Sequence, residues 1–522
     1  MTQQTMAKAV VRDARIEDGR PKIEEIVIGK DVLELVSSAM YVDPLTVYRE
    51  YVQNAADAID DAKGRGEIPK GRTGRVDIGI DQASRTVRIR DNGSGIAWKD
   101  FARKLTALGA SEKRGSEARG FRGVGRLAGL GYAQELVFRS RTDGETHVSE
   151  LRWDCRALKA SLRAAEADHG VAELIRGIVT VARIDAKGYP GRFFEVEMKG
   201  VIRLRSDRMM SAAAIADYLS QVAPLPFSPE FKFGNQITEA LRDFVSLGEI
   251  ELHVEGVEPQ VFRPHRDEFA IDDKRAISFE GLDIVTVPGM DGEMAAIAWI
   301  LHHEYEGALP NGALMKGLRL RSGNVQIGEH SLLEELFAEP RFNVWSVGEV
   351  HVIDRRIVPN GRRDHFEQNA HFHNLLNHLA PTARDISRRC RTSSIRRKWL
   401  RDFELQRQAA ADAIKIVRQR SVGKAELAKF AQAGERALQQ MEKIAAMSIF
   451  VPEGIEGSQA TIGRLRKKLE RLVGENETEM SPLAAVPKAQ RKNYEKFFEL
   501  IYKCSTNQMA AKALIDRILQ TL

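Results

Sequence analysis

The sequence predicts an α+β chain in three parts behind a polar arm: 1–22 as the arm, 23–205 as a first α/β domain, 206–383 as a mixed α/β middle domain and 384–522 as a helical region. Three observations predict it. Helix-spaced and alternating apolar runs interleave through the first two hundred or so residues, as they do where helices pack on a sheet. A rigid connector, Ala223-Pro-Leu-Pro-Phe-Ser-Pro229, then precedes a fresh set of alternating runs. From Arg384 the alternation gives way to long helix-spaced stretches.

A chain of 522 residues with 43% hydrophobic and 29% charged residues is an ordinary globular protein of more than one domain. No apolar run is long enough to span a bilayer, and Met1 to Val11 lacks the apolar core of a signal peptide, so a cytoplasmic location and no membrane partner are expected. Cys155, Cys390 and Cys504 lie too far apart in sequence for a metal knuckle or a disulfide framework. The net charge of +6 permits a nucleic-acid partner without arguing for one.

In the first domain, Ile23–Ala39 carries apolar residues at helical spacing, and Asp43-Pro44 signals the start of a second helix running to Lys63. Tyr48, Val52, Ala55 and Ile59 form its apolar stripe. Glu50, Asn54 and Asp57, at i, i+4 and i+7, project from one face. Two carboxylates and an amide along one line suit a hydrated Mg²⁺ beside a water to be activated, although a solvated polar face has the same pattern. Two alternating runs, Arg75–Ile80 and Arg85–Arg90, predict a strand pair with Val76, Ile78, Ile80, Val87 and Ile89 inward. The second strand leads into Asp91-Asn-Gly93-Ser-Gly95, where an Asp at a strand end can accept from an amino group and two glycines admit a ring. Alone, Asp-Asn-Gly is a common turn. The third element is Gly109–Gly125, a Gly- and charge-rich segment opening onto a helix near Gly123, whose free amides would suit phosphates. It is not a Walker motif, because no Lys-Ser/Thr follows the glycines.

In this order and spacing, the three elements resemble the nucleotide-binding signatures of the GHKL (Bergerat-fold) ATPases, the group of gyrase, HtpG-type chaperones, histidine kinases and MutL. The resemblance covers roughly residues 25 to 200 and implies an α/β sandwich that binds ATP and Mg²⁺. Carried over by position, it implies Glu50 as the base that orients or activates water, Asn54 as the Mg²⁺ ligand and Asp57 as support for the pocket. Asp91 would recognise the adenine amino group, with Gly93 and Gly95 shaping the pocket. Gly109–Gly125 would be a lid, with Lys113, Gly120, Gly123, Val124 and Gly125 on the nucleotide. Gly191-Arg192 departs from the family, which usually has Gly-Thr there.

In the middle region, Glu249–Val254, Leu282–Val287, Ala295–Leu301, Leu318–Ile327 and Ser346–Ile353 alternate as strands do. They lead to Asn360-Gly-Arg362-Arg363-Asp364, which resembles the middle-domain loop of the HtpG type, the ninety-kilodalton heat-shock chaperones. By that resemblance Arg363 would present a guanidinium to the γ-phosphate, which suits charge spreading over transferring phosphoryl oxygens. Arg319 and Arg321 would line a cleft or support the core.

The helical region opens with Arg384, Arg388, Arg389, Arg391, Arg396, Arg397, Lys398 and Arg401, a solvated face or a grip on phosphate backbones. Leu400–Val417 and Ala425–Ala446 resemble a helical hairpin around Gly423. The expected function is therefore a chaperone-like, ATP-dependent clamp, dimeric by resemblance. The alternative is an ATP-gated DNA clamp of MORC or MutL type, with DNA on the Arg384–Arg401 run.

Overall fold

The computed structural model describes residues 43–107, 125–163, 171–272, 275–310, 312–450, 454–474 and 482–522. The arm, the Ile23–Ala39 stretch, Gly109, Lys113, Gly120, Gly123 and Val124 lie outside them. The chain divides into two compact units. The first takes in the described residues through Glu304 together with Ala308–Ser387; the second is Tyr305–Gly307 with Arg388–Leu522.

The first unit is built on an eight-stranded sheet. Its elements are helix α1 (Thr46–Gly64), β1 (Gly74–Asp81), β2 (Thr86–Asp91), α2 (Trp98–Thr106), β3 (Glu135–Arg141), β4 (His147–Asp154), α3 (Cys155–Arg163), α4 (Val171–Ile178), β5 (Val179–Asp185), β6 (Phe193–Lys199), α5 (Ala212–Val222), α6 (Gly234–Arg242), β7 (Ile250–Val254) and β8 (Val257–Val261). The strand order is β5-β4-β3-β6-β2-β1-β7-β8. All pairs are antiparallel except β1 with β7, in which Gly74 faces Ile250 and Ile78 faces Val254. The sheet therefore continues past residue 205 and takes in Ile250–Val261, downstream of the proline-rich connector.

Alternation sorts the two faces of this sheet. Val76, Ile78, Val87, Ile89, Leu136, Phe138, Leu151, Trp153, Val196 and Met198 join the core beneath α1. There the stripe of Tyr48, Val52, Ala55 and Ile59 is at most 3% exposed, and each large side chain contributes about 1.5–3 kcal/mol. A Cβ on Gly74 would sit 2.1 Å from Ile59 Cγ2, so only glycine lets β1 begin against the helix. The opposite face is a ladder of charges: Arg139 pairs with Glu150 and Glu195 at 2.8 Å each, Arg90 with Glu195 at 2.5 Å and Arg88 with Glu197 at 3.0 Å.

A five-stranded sheet follows, made of β11 (Gly281–Pro288), β12 (Met294–His302), β13 (Gly317–Ser322), β14 (Val325–Ile327) and β15 (Val347–Val352), after the small pair β9 (Glu268–Asp272) and β10 (Arg275–Ser278). Its order is β11-β12-β15-β13-β14, with β13 parallel to β15. Arg319 and Arg321 are 3% and 1% exposed and belong to the core. Glu349, fully buried, accepts from Arg263 Nη1 at 2.5 Å and Arg321 Nε at 2.6 Å. The same two guanidiniums reach the carbonyls of Leu225, Gln221, Ala223 and Asn324, so the connector is strapped to the sheet.

The second unit is helical. Helix α7 (Ala370–Gln419) starts well ahead of Arg384, runs through Pro381 and has its residues up to Ser387 in the first unit. After it come α8 (Lys424–Ala445), α9 (Ser458–Gly474), α10 (Lys488–Cys504) and α11 (Gln508–Thr521). Phe403, Ala410, Ile414 and Val417 pack with Leu438, Met441, Ile462 and Leu469 in one core. Phe498, Tyr502 and Ile515 anchor another. Gly434 lets α8 approach closely, since a Cβ there would lie 3.2 Å from that of Ala413. No described helix is long and apolar enough to cross a membrane.

Candidate functional site

Helix α1 starts at Thr46, three residues beyond the expected cap. Asp43 Oδ1 accepts from the Leu45 amide at 3.0 Å, and the Asp43 and Pro44 carbonyls receive Thr46 and Val47 N–H, so the signal residues shape a lead-in turn. The helix is buried along most of its length, so its polar residues meet partners instead of bulk water. Glu50 is 7% exposed and Asp57 is 8% exposed. Asn54, half-buried, makes no side-chain hydrogen bond among the described residues. At i+4 from Glu50 it shares that residue's face, and an amide oxygen there would fit an oxygen-ligated divalent cation.

Glu50 is the point of convergence. Arg49 Nη2 lies 3.4 Å from its Oε1, and Arg363 Nε lies 3.9 Å from the same oxygen. On the other side Gly125 presses backbone against the carboxylate; a Cβ there would sit 2.3 Å from Oε2. The next turns are held by Tyr51, whose hydroxyl accepts from Gly129 N–H at 2.8 Å.

Arg363 comes from the middle region. It has φ of +56°, a left-handed conformation rare for a side chain with a Cβ, in a tight tip closed by Asn360. The Asn360 carbonyl accepts from Arg363 N–H at 3.1 Å, and its amide donates to Asp364 Oδ1 at 2.6 Å. The Arg363 carbonyl accepts from Gly328 N–H at 2.9 Å, where φ of +66° and the nearby Asp364 carbonyl exclude a Cβ. So held, Arg363 Nη1 donates to Gln53 Oε1 at 2.5 Å, and Arg49 Nη2 donates to the Arg362 carbonyl at 3.1 Å. Arg49 and Gln53 were not singled out from sequence. Their signal was positional: they sit one residue before and three after Glu50.

Asp91 ends β2 between Val76 of β1 and Phe194 of β6 and is 5% exposed. Its Oδ1 accepts from Gly93 N–H at 2.9 Å; Oδ2 accepts from no described group. Burial pushes its carboxyl up to about 7, against the Gly93 hydrogen bond, which lowers it. Gly93 and Gly95 are required where they stand. A Cβ on Gly93 would lie 2.7 Å from the Ala58 backbone carbon, and one on Gly95, at φ of +66°, 2.7 Å from the Arg141 carbonyl oxygen. Glu50 with Arg363 at one end, and Asp91 at the other, are thus set by one helix and the strand end beside it. A buried carboxylate with one open oxygen suits an amino group; a half-exposed amide and a guanidinium suit a charged oxyanion and its cation.

Residues 44–172 match the family profile described as histidine kinase-, DNA gyrase B- and HSP90-like ATPase. Among curated proteins the chain is similar to the chaperone protein HtpG of Anaplasma phagocytophilum, 26% identical over 279 residues, which is 46% of this chain and 43% of the relative. HtpG of Polaromonas naphthalenivorans is 24% identical over 200 residues, 34% and 30% of the two chains, and that of Acinetobacter baylyi 28% over 142, 23% and 22%. The matched stretch spans less than half the length of these relatives. That profile lies over α1, the Asp91 strand end and Gly125, so residues 44–172 are similar to the histidine kinase-, DNA gyrase B- and HSP90-like ATPases, with the HtpG chaperones among the relatives matched.

Proposed function

We propose that the chain hydrolyses Mg·ATP as a chaperone-like molecular clamp. Asp91 receives the base amino group, and Asn54 is the side chain that would hold magnesium, which supplies neutralising charge on the phosphates. Glu50 takes the proton of the water that attacks the γ-phosphorus as the bond to the bridging oxygen breaks and ADP leaves. Arg363 exchanges Gln53 for the γ-phosphate oxygens, and the Gly109–Gly125 segment closes over the nucleotide. A homodimer, through the helical region, belongs to this reading. The observation that carries it is the arrival of Arg363, from a distant part of the sequence, within 3.9 Å of Glu50.

The test is ATP turnover beside ATP binding. Glu50→Ala is expected to keep ATP affinity within about twofold and to lower turnover at least about 10²-fold. Arg363→Ala is expected to lower turnover by about 10²–10³-fold, also with binding retained. Turnover undiminished in Glu50→Ala would end the hydrolytic assignment. A second reading, a DNA clamp, is favoured by the exposed Arg384, Arg388, Arg389, Arg391, Lys398 and Arg401 of α7. Turnover stimulated by duplex DNA, and no longer stimulated when these charges are neutralised, would put that reading first.

A further inference from the structure

Arg192 stands one residue before β6, beside the Asp91 turn, and its side chain is 14% exposed. Its guanidinium is shared among three segments. Nε donates to the Gly93 carbonyl at 3.0 Å, and Nη2 lies 3.4 Å from the Asn92 carbonyl. Nη1 donates to the Glu67 carbonyl, beyond the end of α1, at 3.0 Å and to Asp143 Oδ2, between β3 and β4, at 3.1 Å.

The two turn carbonyls belong to peptide units that are also held from their other side. The Asn92–Gly93 unit offers its carbonyl to Arg192 and its N–H to Asp91 Oδ1. The Gly93–Ser94 unit offers its carbonyl to Arg192 and its N–H to the Ala58 carbonyl of α1. A peptide beside glycine flips readily, because glycine populates both signs of φ. A flip of the first unit would turn a carbonyl dipole toward the Asp91 carboxylate and remove the donor that orients it.

We infer that Arg192 is a positioning residue for base recognition: it clamps the Asn92–Gly93 and Gly93–Ser94 peptides so that Asp91 keeps one oxygen fixed and the other presented to the base amino group. This rests on the nucleotide-site reading above. Arg192 touches no reacting atom, so its effect belongs to binding of the base and not to the phosphoryl end. The forked, planar guanidinium is needed because two carbonyls must be held at once, which an ammonium does poorly.

The experiment is calorimetric titration of Arg192→Ala and Arg192→Lys in the full chain with ATP, ADP and adenosine, beside turnover at saturating ATP. Arg192→Ala is expected to weaken all three ligands by a common factor of about tenfold, the scale of one charge-assisted hydrogen bond. Turnover at saturation should be unchanged, and Arg192→Lys should recover part of the affinity. Wild-type affinity in Arg192→Ala, or a loss confined to ATP, would overturn the inference. Should the alanine variant not fold, Arg192→Lys decides: a common loss for the three ligands supports the clamp, and no loss overturns it. Asp91→Asn run in parallel separates the two levels. If it binds as wild type, the pocket reading itself fails; if it loses binding while Arg192→Ala does not, only the clamp fails.

Discussion

Asp91→Asn is expected to abolish ATP binding, with affinity falling at least about 10²-fold in calorimetry. The substitution is nearly isosteric, so the effect isolates hydrogen-bond chemistry. The Gly93 N–H demands an acceptor and keeps the amide oxygen. The amide NH₂ is then aimed where a base amino group must also donate, and two donors facing each other in a buried site are costly. Normal ATP affinity in this variant would remove Asp91 from the pocket.

The same carboxylate makes a proton-linked prediction. Burial raises Asp91 to about 7 in the empty protein, whereas an amino donor favours the ionised form. Below about pH 7 the nucleotide must displace a proton, so affinity should weaken as pH falls, by at most about tenfold per unit. Calorimetry in buffers of different ionisation enthalpy at pH 6 should show up to one proton released per nucleotide, fading by pH 8. The empty protein has the opposite trend. Between the ordinary carboxylate value and about 7 only the folded state keeps this proton, so Asp91's contribution to stability falls as pH rises across that window.

Glu349→Ala is expected to destabilise the first unit by about 3–5 kcal/mol, read as a lowered denaturation midpoint. Burial works against its charge, yet the Arg263 and Arg321 guanidiniums outweigh that and hold its carboxyl well below the usual range. Without it, two buried cations face each other with Arg319 close by, and the neighbouring His265, kept neutral because burial drives it down to about 3, supplies no negative charge. Glu349→Gln should recover little, because the amide replaces the shape and not the charge. An unchanged midpoint would mean that water or an anion reaches the cluster.

Local pattern made much of this molecule legible. The stripe on α1, the β1–β2 alternation and the Asp91 glycines are short-range signals, and each sits where spacing places it. Longer-range facts were less accessible. The parallel pairing of β1 with β7 joins residues on opposite sides of the connector, and no periodicity announces a partner. Helix α7 begins ahead of Arg384 and continues through Pro381, because tertiary packing sustains a helix that propensity would interrupt. Arg49 and Gln53 were hidden for another reason. A polar residue on a half-buried element has the same letter whether it faces solvent or a carbonyl.

The β1–β7 pairing also governs how the chain can be cut and how it must be made. Removed at residue 205, the first domain would present β1 as a bare edge with unpaired amides and carbonyls and Val76, Ile78 and Ile80 along one face, an invitation to stack with other copies. A fragment carried through Val261 would keep that edge covered. On the ribosome, too, β1 waits for its neighbour until residue 254 has emerged, so the nascent eight-stranded sheet spends much of its synthesis with one flank open.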